Sequence, residues 1–221
     1  MIDSGYSIIE HTFSDHECDE LLSAVTAACA EPGRAGTRHL MKNAAVGATA
    51  RDPRLLEIAK RSLGERAVPY RATLFEKSGL ANWLVAWHQD TALPLSSLND
   101  SPEWGPWSTK LGVIYAHAPT WALSRTVALR VHLDASTSEN GPLRIIPGSH
   151  AQGVLRDDEL FAMAKKETPV ACLIPRGGVL SMRPLLIHSS SKPKADAPRR
   201  VLHIEYADSL DLSESVRLAI A

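Results

Sequence analysis

The chain has 221 residues, of which 44% are hydrophobic and 22% charged, and a formal net charge of -1, the make-up of one ordinary globular domain able to bury a continuous core. So small a charge supplies no long-range attraction for nucleic acid or an anionic membrane, and no stretch approaches the roughly 18 apolar residues that cross a bilayer. Cys18, Cys29 and Cys172 are odd in number and lack any Cys-x-x-Cys spacing, which predicts free thiols in a reducing compartment rather than a disulfide framework.

The N-terminus carries no charged segment followed by a long apolar run, so a cytoplasmic protein is expected. Ser14-Asp15-His16-Glu17 has the form of a capping box and opens a helical pattern that runs to about Ala30, where Glu31-Pro32-Gly33 stops it. The polar stretch to Gly47 is expected as loop, with His39, Lys42 and Asn43 in solvent unless the lid of the site folds over them. Asp52-Pro53 starts a second helix, and Gly64 lies just past its end.

From Val68 onward the texture changes to short runs rich in Val, Leu, Ile, Tyr and Trp, broken by Gly, Pro, Ser and Asn. Strands are expected over 68–76, 81–88, 112–117, 126–134, 143–146, 170–174, 179–188 and 199–206, with an inserted helix over 157–166. About eight strands behind two helices predict a mainly β fold with flanking helices, a double-stranded β-helix or cupin-like jelly roll whose open end can hold a metal. One domain, 1–221, is expected: a mainly helical layer over 1–66, the jelly-roll core over 67–206, and a C-terminal tail over 207–221.

The strand before Trp87 delivers His88-Gln89-Asp90 to its end. Alternation turns His88 and Asp90 to one side and Gln89 to the other, a pair that can grip one ion. Far downstream, Pro184-Leu185-Leu186-Ile187-His188 is a short apolar run ending in histidine; a loop with Pro193 and Pro198 follows, and a strand resumes at Arg199. Two imidazoles and a carboxylate can bind one face of iron(II) and leave the other positions open. An arginine beside them offers a planar fork for a dicarboxylic acid, so the set points to an oxygenase using 2-oxoglutarate.

The chain resembles the phytanoyl-CoA dioxygenase family of iron(II)- and 2-oxoglutarate-dependent oxygenases in three blocks: Trp87-His88-Gln89-Asp90, Glu139-Asn140-Gly141-Pro142 through Pro147-Gly148-Ser149-His150, and Leu186-Ile187-His188-Ser189-Ser190 followed by Arg199. The resemblance implies that His88, Asp90 and His188 hold Fe(II), that Arg199 pairs with the distal carboxylate of 2-oxoglutarate, and that Ser190 contacts the same carboxylate. It also implies O2 as co-substrate, release of succinate and CO2, and hydroxylation of a small molecule, with ascorbate useful in assay. Where the family's namesake lines the co-substrate pocket with a tryptophan, this chain places Arg130, which predicts a rebuilt wall. No basic cluster stands out to receive a CoA pyrophosphate, so the family name does not carry the substrate.

Other positions have two readings. Arg130 and His132 alternate with Val127, Leu129, Val131 and Leu133; their face either lines the cavity, as expected for Arg130, or meets water. Asn82 shares parity with His88 and is either a further cofactor-binding amide or a strand-edge amide bonded to backbone. Lys77 either provides a second positive charge near 2-oxoglutarate or, preceding a Ser-Gly turn, is solvated, which is the expected outcome. The segment 92–110, with three prolines, Trp104 and Trp107, is read as a lid over the substrate, with packing of the tryptophans on the barrel exterior as the alternative. Gly141 through His150 also resembles the second motif of metal-binding cupins, in which His150 would be a ligand, so a cupin-like metal-binding isomerase or a non-catalytic small-molecule-binding jelly roll is the rival reading.

Overall fold

The computed structural model describes residues 4–28, 36–77, 84–195 and 197–221. In chain order the first elements are β1 (Tyr6–Ile9), α1 (Asp15–Ala28), β2 (Gly36–Thr37), α2 (Ala44–Thr49), α3 (Pro53–Leu63), β3 (Val68–Lys77) and β4 (Val85–His88). There follow β5 (Ala92–Leu95), β6 (Trp107–Lys110), β7 (Val113–His117), α4 (Thr120–Leu123), β8 (Thr126–His132) and β9 (Leu143–Ile145). The last are α5 (Asp157–Lys166), β10 (Val170–Ala171), β11 (Val179–Met182), β12 (His188–Ser190) and β13 (Arg199–Ala207).

The strands form an antiparallel jelly roll. Its large sheet has the order β1-β11-β8-β13-β3-β2, and its small sheet the order β10-β9-β12-β4; a further sheet, β5-β7-β6, flanks them. Period-two alternation divides the large sheet into two chemically different faces. Leu74, Leu129, Val131, Leu133, Leu202, Ile204 and Tyr206 pack with Leu21, Leu22, Val25, Leu55 and Ile58 of the helices in one apolar cluster. The opposite face, between the sheets, carries Thr73, Phe75, Lys77, Arg130, His203 and Arg199, and all except the half-buried Phe75 are buried.

Several local readings hold for the expected reasons. Ser14 N–H donates to Glu17 Oε2 at 2.8 Å and Glu17 N–H to Ser14 Oγ at 3.3 Å, closing the capping box of α1. Asp52 caps α3, whose first residue is Pro53, and Gly64 ends it at φ 82°. Others need correction. The run 179–188 is two strands: β11 lies in the large sheet, β12 in the small one, and the Pro184 segment carries the chain between them. The stretch 36–49 is structured: Asn43 accepts from Val46 N–H at 3.1 Å to cap α2, and His39 Nε2 meets the Tyr115 hydroxyl at 3.0 Å.

The segment 92–110 is not a lid. Its ends are β5 and β6 of the flanking sheet, and Trp104 is buried with Leu93, Leu95, Ala116 and Leu123. The prolines hid this: Pro94 sits in an edge strand, where a residue without an N–H is tolerated. Nor are residues 207–221 a tail, because Leu212, Val216 and Leu218 join the same cluster. Ala221 N–H donates to the Tyr70 carbonyl at 2.8 Å and its own carbonyl accepts from Ala72 N–H at 3.0 Å. No helix among the described residues is long and apolar enough to cross a membrane.

Candidate active site

The centre begins with strand register. β4 and β12 are antiparallel neighbours in which His88 and His188 are direct partners, so two residues a hundred positions apart in the chain bring their rings within 4.1 Å, tilted at 52°. Asp90 lies just past the end of β4, where its N–H donates to the Pro184 carbonyl at 2.9 Å. Gln89 turns away and is locked by three bonds: to the Gly153 carbonyl at 2.9 Å, to the Leu185 carbonyl at 2.8 Å and from Leu155 N–H at 2.9 Å. Asp90 is thereby held between the imidazoles, with His88 Nε2 3.8 Å and His188 Nε2 3.6 Å from its oxygens. One ligand atom from each of the three residues lies within 4.8 Å of the others.

Both rings are prepared to donate lone pairs. His88 Nδ1 is 2.8 Å from the Ala86 carbonyl, and His188 Nδ1 is 2.8 Å from the Leu186 carbonyl. A carbonyl only accepts, so each Nδ1 carries the proton and each Nε2 is left free. Burial pushes the His188 imidazole down to about 4, partly countered by Asp90, which leaves the ring neutral at pH 7. Burial raises Asp90, but the positive charge around it, to which the Arg71 guanidinium contributes, outweighs burial and holds the carboxyl well below its usual range. Two fixed imidazole nitrogens with a charged carboxylate are the donor set that a borderline divalent ion such as iron(II) takes.

A cavity of about 440 Å³ opens on these donors. Its inner end is cationic. Lys77 and Arg199 are cross-strand partners of β3 and β13, and both, with Arg130, line the cavity. Lys77 Nζ donates to Ser190 Oγ at 2.7 Å and to the Ser191 carbonyl at 2.7 Å, while Arg199 Nη2 donates to the same Ser190 oxygen at 3.3 Å. Ser190 gives its own proton to the Gly141 carbonyl at 2.9 Å. Gly141 has φ +69°, and a side chain there would collide with the Ser191 carbonyl, so the glycine of the second block permits the close approach that fixes Ser190.

Arg199 is only 3% exposed, and its Nε and Nη1 have no hydrogen-bond partner among the described residues. Burial, then Arg130, lowers its guanidinium to about 10, and burial with Arg199 and Arg130 lowers Lys77 to about 8. Arg199 and Arg130, buried and with donors that no described group accepts, are crowded by like charge and make a site for an anion. Val85 and Leu143 supply apolar wall.

Sequence reading named His88, Asp90, His188, Arg199, Ser190 and Arg130, and these six all line this cavity. Arg130 donates from Nη1 toward His203 Nδ1 at 3.1 Å and packs over Phe75. Its strand is buried throughout, so the water-facing alternative fails. His132 is buried but outside the cavity lining. Asn82 lies outside the described residues. Of the two readings of Lys77, solvation is corrected and the charge near the co-substrate pocket is kept: it lines the cavity at 2% exposure, set against Arg199 by a strand pairing that the sequence does not record. His150 lines a different cavity with Arg61 and Arg183, and His88, Asp90 and His188 are the group of metal-ligating side chains found among the described residues.

Comparison with known proteins agrees with this geometry. The chain is 26% identical over 206 residues to the ectoine dioxygenase of Bordetella bronchiseptica, covering 80% of this chain and 60% of that protein. It is 25% identical over 180 residues to the L-proline trans-4-hydroxylase of Streptomyces griseoviridis, covering 70% and 59%. The chain thus spans about three fifths of the length of these curated relatives. Among solved structures, EctD from S. alaskensis with 2-oxoglutarate and 5-hydroxyectoine superposes at a TM-score of 0.70 and 23% identity, covering 93% of this chain and 72% of that one. The non-heme alpha ketoglutarate dependent epimerase SnoN from nogalamycin biosynthesis superposes at a TM-score of 0.70 and 18% identity, covering 95% and 80%. Those likenesses carry the fold. Residues 2–201 match the profile of phytanoyl-CoA dioxygenase (PhyH), and the chain belongs to that family.

Proposed function

We propose that the protein is an Fe(II)- and 2-oxoglutarate-dependent dioxygenase that hydroxylates a small molecule. The observation that carries this is Arg199: a buried guanidinium with two unspent donor atoms lining the same cavity as the His88, Asp90 and His188 donor set. His88, Asp90 and His188 would hold the iron. Once bound, iron(II) and 2-oxoglutarate supply the oxidising chemistry, with O2 consumed and succinate and CO2 released. The chain's own part is placement and exclusion of water.

In this reading Arg199 and Lys77 bind the distal carboxylate of 2-oxoglutarate. Ser190, whose proton is given to Gly141 and whose oxygen accepts from both cations, aims them. Arg130 closes the same wall and adds positive charge. Relatives named ectoine dioxygenase and L-proline trans-4-hydroxylase support a small-molecule substrate. A cytoplasmic setting belongs to the same proposal, supported by the buried free thiols Cys18 and Cys172.

The test is succinate formation from 2-oxoglutarate by the full chain with iron(II), ascorbate and O2. Iron-dependent succinate release that is lost in Asp90→Ala supports the assignment. A protein that binds metal but neither binds nor turns over 2-oxoglutarate would instead be the cupin-like isomerase or binding module.

A further inference from the structure

Asp90 also borders a second chamber, of about 280 Å³. Arg38, Thr73, Phe75 and Asp90 line both spaces; Lys77 and Arg199 line only the first, and Arg71, Lys110 and Tyr115 only the second. Asp90 therefore stands between the cationic end assigned above to 2-oxoglutarate and an adjoining space with its own chemistry.

That compartment is again cationic. Arg71 is neutralised by Glu205, to which its Nη2 donates at 2.7 Å. Arg38 and Lys110 have no carboxylate within ion-pair distance among the described residues. Lys110 Nζ lies 4.8 Å over the Tyr115 ring, and burial followed by repulsion from Arg38 and Arg71 lowers its ammonium. A bound anion would relieve this crowding. Asp90, the acid on these walls, is engaged by the two imidazoles. Neutral polar partners are ready: the Tyr115 hydroxyl is held by His39 Nε2 at 3.0 Å, and Thr91 Oγ1 meets His117 Nδ1 at 2.7 Å. The volume lies just below the range usual for drug-sized ligands, about 300 to 1,000 Å³, which suits a compact molecule.

We propose that this chamber is the substrate site and that the substrate is a compact organic anion, its charged group bound between Arg38 and Lys110 and its reacting carbon turned toward the Asp90 side of the centre. The proposal deepens the function assigned above and rests on it.

The experiment is anaerobic calorimetry on the full chain loaded with iron(II), first with 2-oxoglutarate and then, at saturation, with benzoate, phenyl phosphate or neutral benzamide. Benzoate or phenyl phosphate should bind saturably, one per chain, about tenfold or more tightly than benzamide, and the preference between the two identifies the anion as carboxylate or phosphate. Lys110→Gln and Arg38→Gln should each weaken the preferred anion about tenfold. Neither side chain belongs to the core, and Lys110→Gln should leave the preceding 2-oxoglutarate titration unchanged. Equal affinity for benzamide, indifference to both substitutions, or no saturable anion binding by a complex that has taken up 2-oxoglutarate would overturn the proposal. Failure of 2-oxoglutarate itself to bind would count against the metal-centre reading, and the same three probes titrated without it would then decide the chamber.

Discussion

Lys77 and Arg199 stand directly opposite each other across β3 and β13, both buried, and both donate to the one oxygen of Ser190. Like charges in facing strand positions are destabilising, and burial makes the repulsion worse. A chain keeps such a pair where an anion completes it. An arginine–carboxylate bond contributes about 1.5 to 3 kcal/mol, so Arg199→Ala should weaken 2-oxoglutarate about tenfold to a hundredfold by calorimetry. Arg199→Lys should not restore it, because an ammonium lacks the planar fork. Arg200→Ala is the control: its guanidinium is committed to Asp134 at 2.7 and 2.8 Å, and 2-oxoglutarate affinity should not change.

Lys77 makes binding sensitive to pH. In the free protein burial, Arg199 and Arg130 lower its ammonium to about 8; a bound carboxylate favours the charged form and raises it again. The complex therefore holds more protons than the free protein at and above pH 8, so 2-oxoglutarate binding takes up a proton there and affinity falls as pH rises. Calorimetry at pH 8 in two buffers of different ionisation enthalpy should report this uptake. Lys77→Gln should abolish it, and equal uptake in that variant would assign the proton elsewhere.

The metal assignment separates the two jelly-roll readings. Asp90→Ala or His188→Ala should lose stoichiometric iron, measured by metal analysis after anaerobic loading. His150→Ala should keep it, because His150 lines a different cavity. Wild-type iron in Asp90→Ala together with loss in His150→Ala would favour the cupin arrangement.

Trp104 distinguishes packing from gating. It is 5% exposed, with its ring 6.0 Å from that of Trp121 and edge-on to it. Trp104→Ala should cost about 3 to 5 kcal/mol of stability in chemical denaturation. A lid residue would leave stability unchanged and alter turnover alone.

What could be seen in the sequence was what alternation and local capping determine. The capping box of α1, the Asp52-Pro53 start of α3 and the boundaries of α5 follow from short-range chemistry, and His88, Asp90 and His188 were legible because a metal demands particular residue types. Pairing between distant strands was not legible. The two readings of Lys77 stay undecided in the sequence because nothing in 68–77 records that β13 runs beside it, and Arg38 and Lys110 carry no motif. Prolines misled in 92–110: as breakers they argued for loop, whereas Pro94 sits on an edge strand where its missing N–H is harmless. The run 179–188 looked continuous because both of its halves are buried, although they belong to different sheets.

The central claim is that one ion held by His88, Asp90 and His188 and one diacid held by Arg199 share a single cavity. Anaerobic titration of 2-oxoglutarate into the wild-type chain with and without iron(II) tests it most directly. The account predicts one site per chain, far tighter with iron present and weakened by Arg199→Ala. Saturable binding indifferent to both the iron and Arg199, or no binding to the iron-loaded chain, would contradict it.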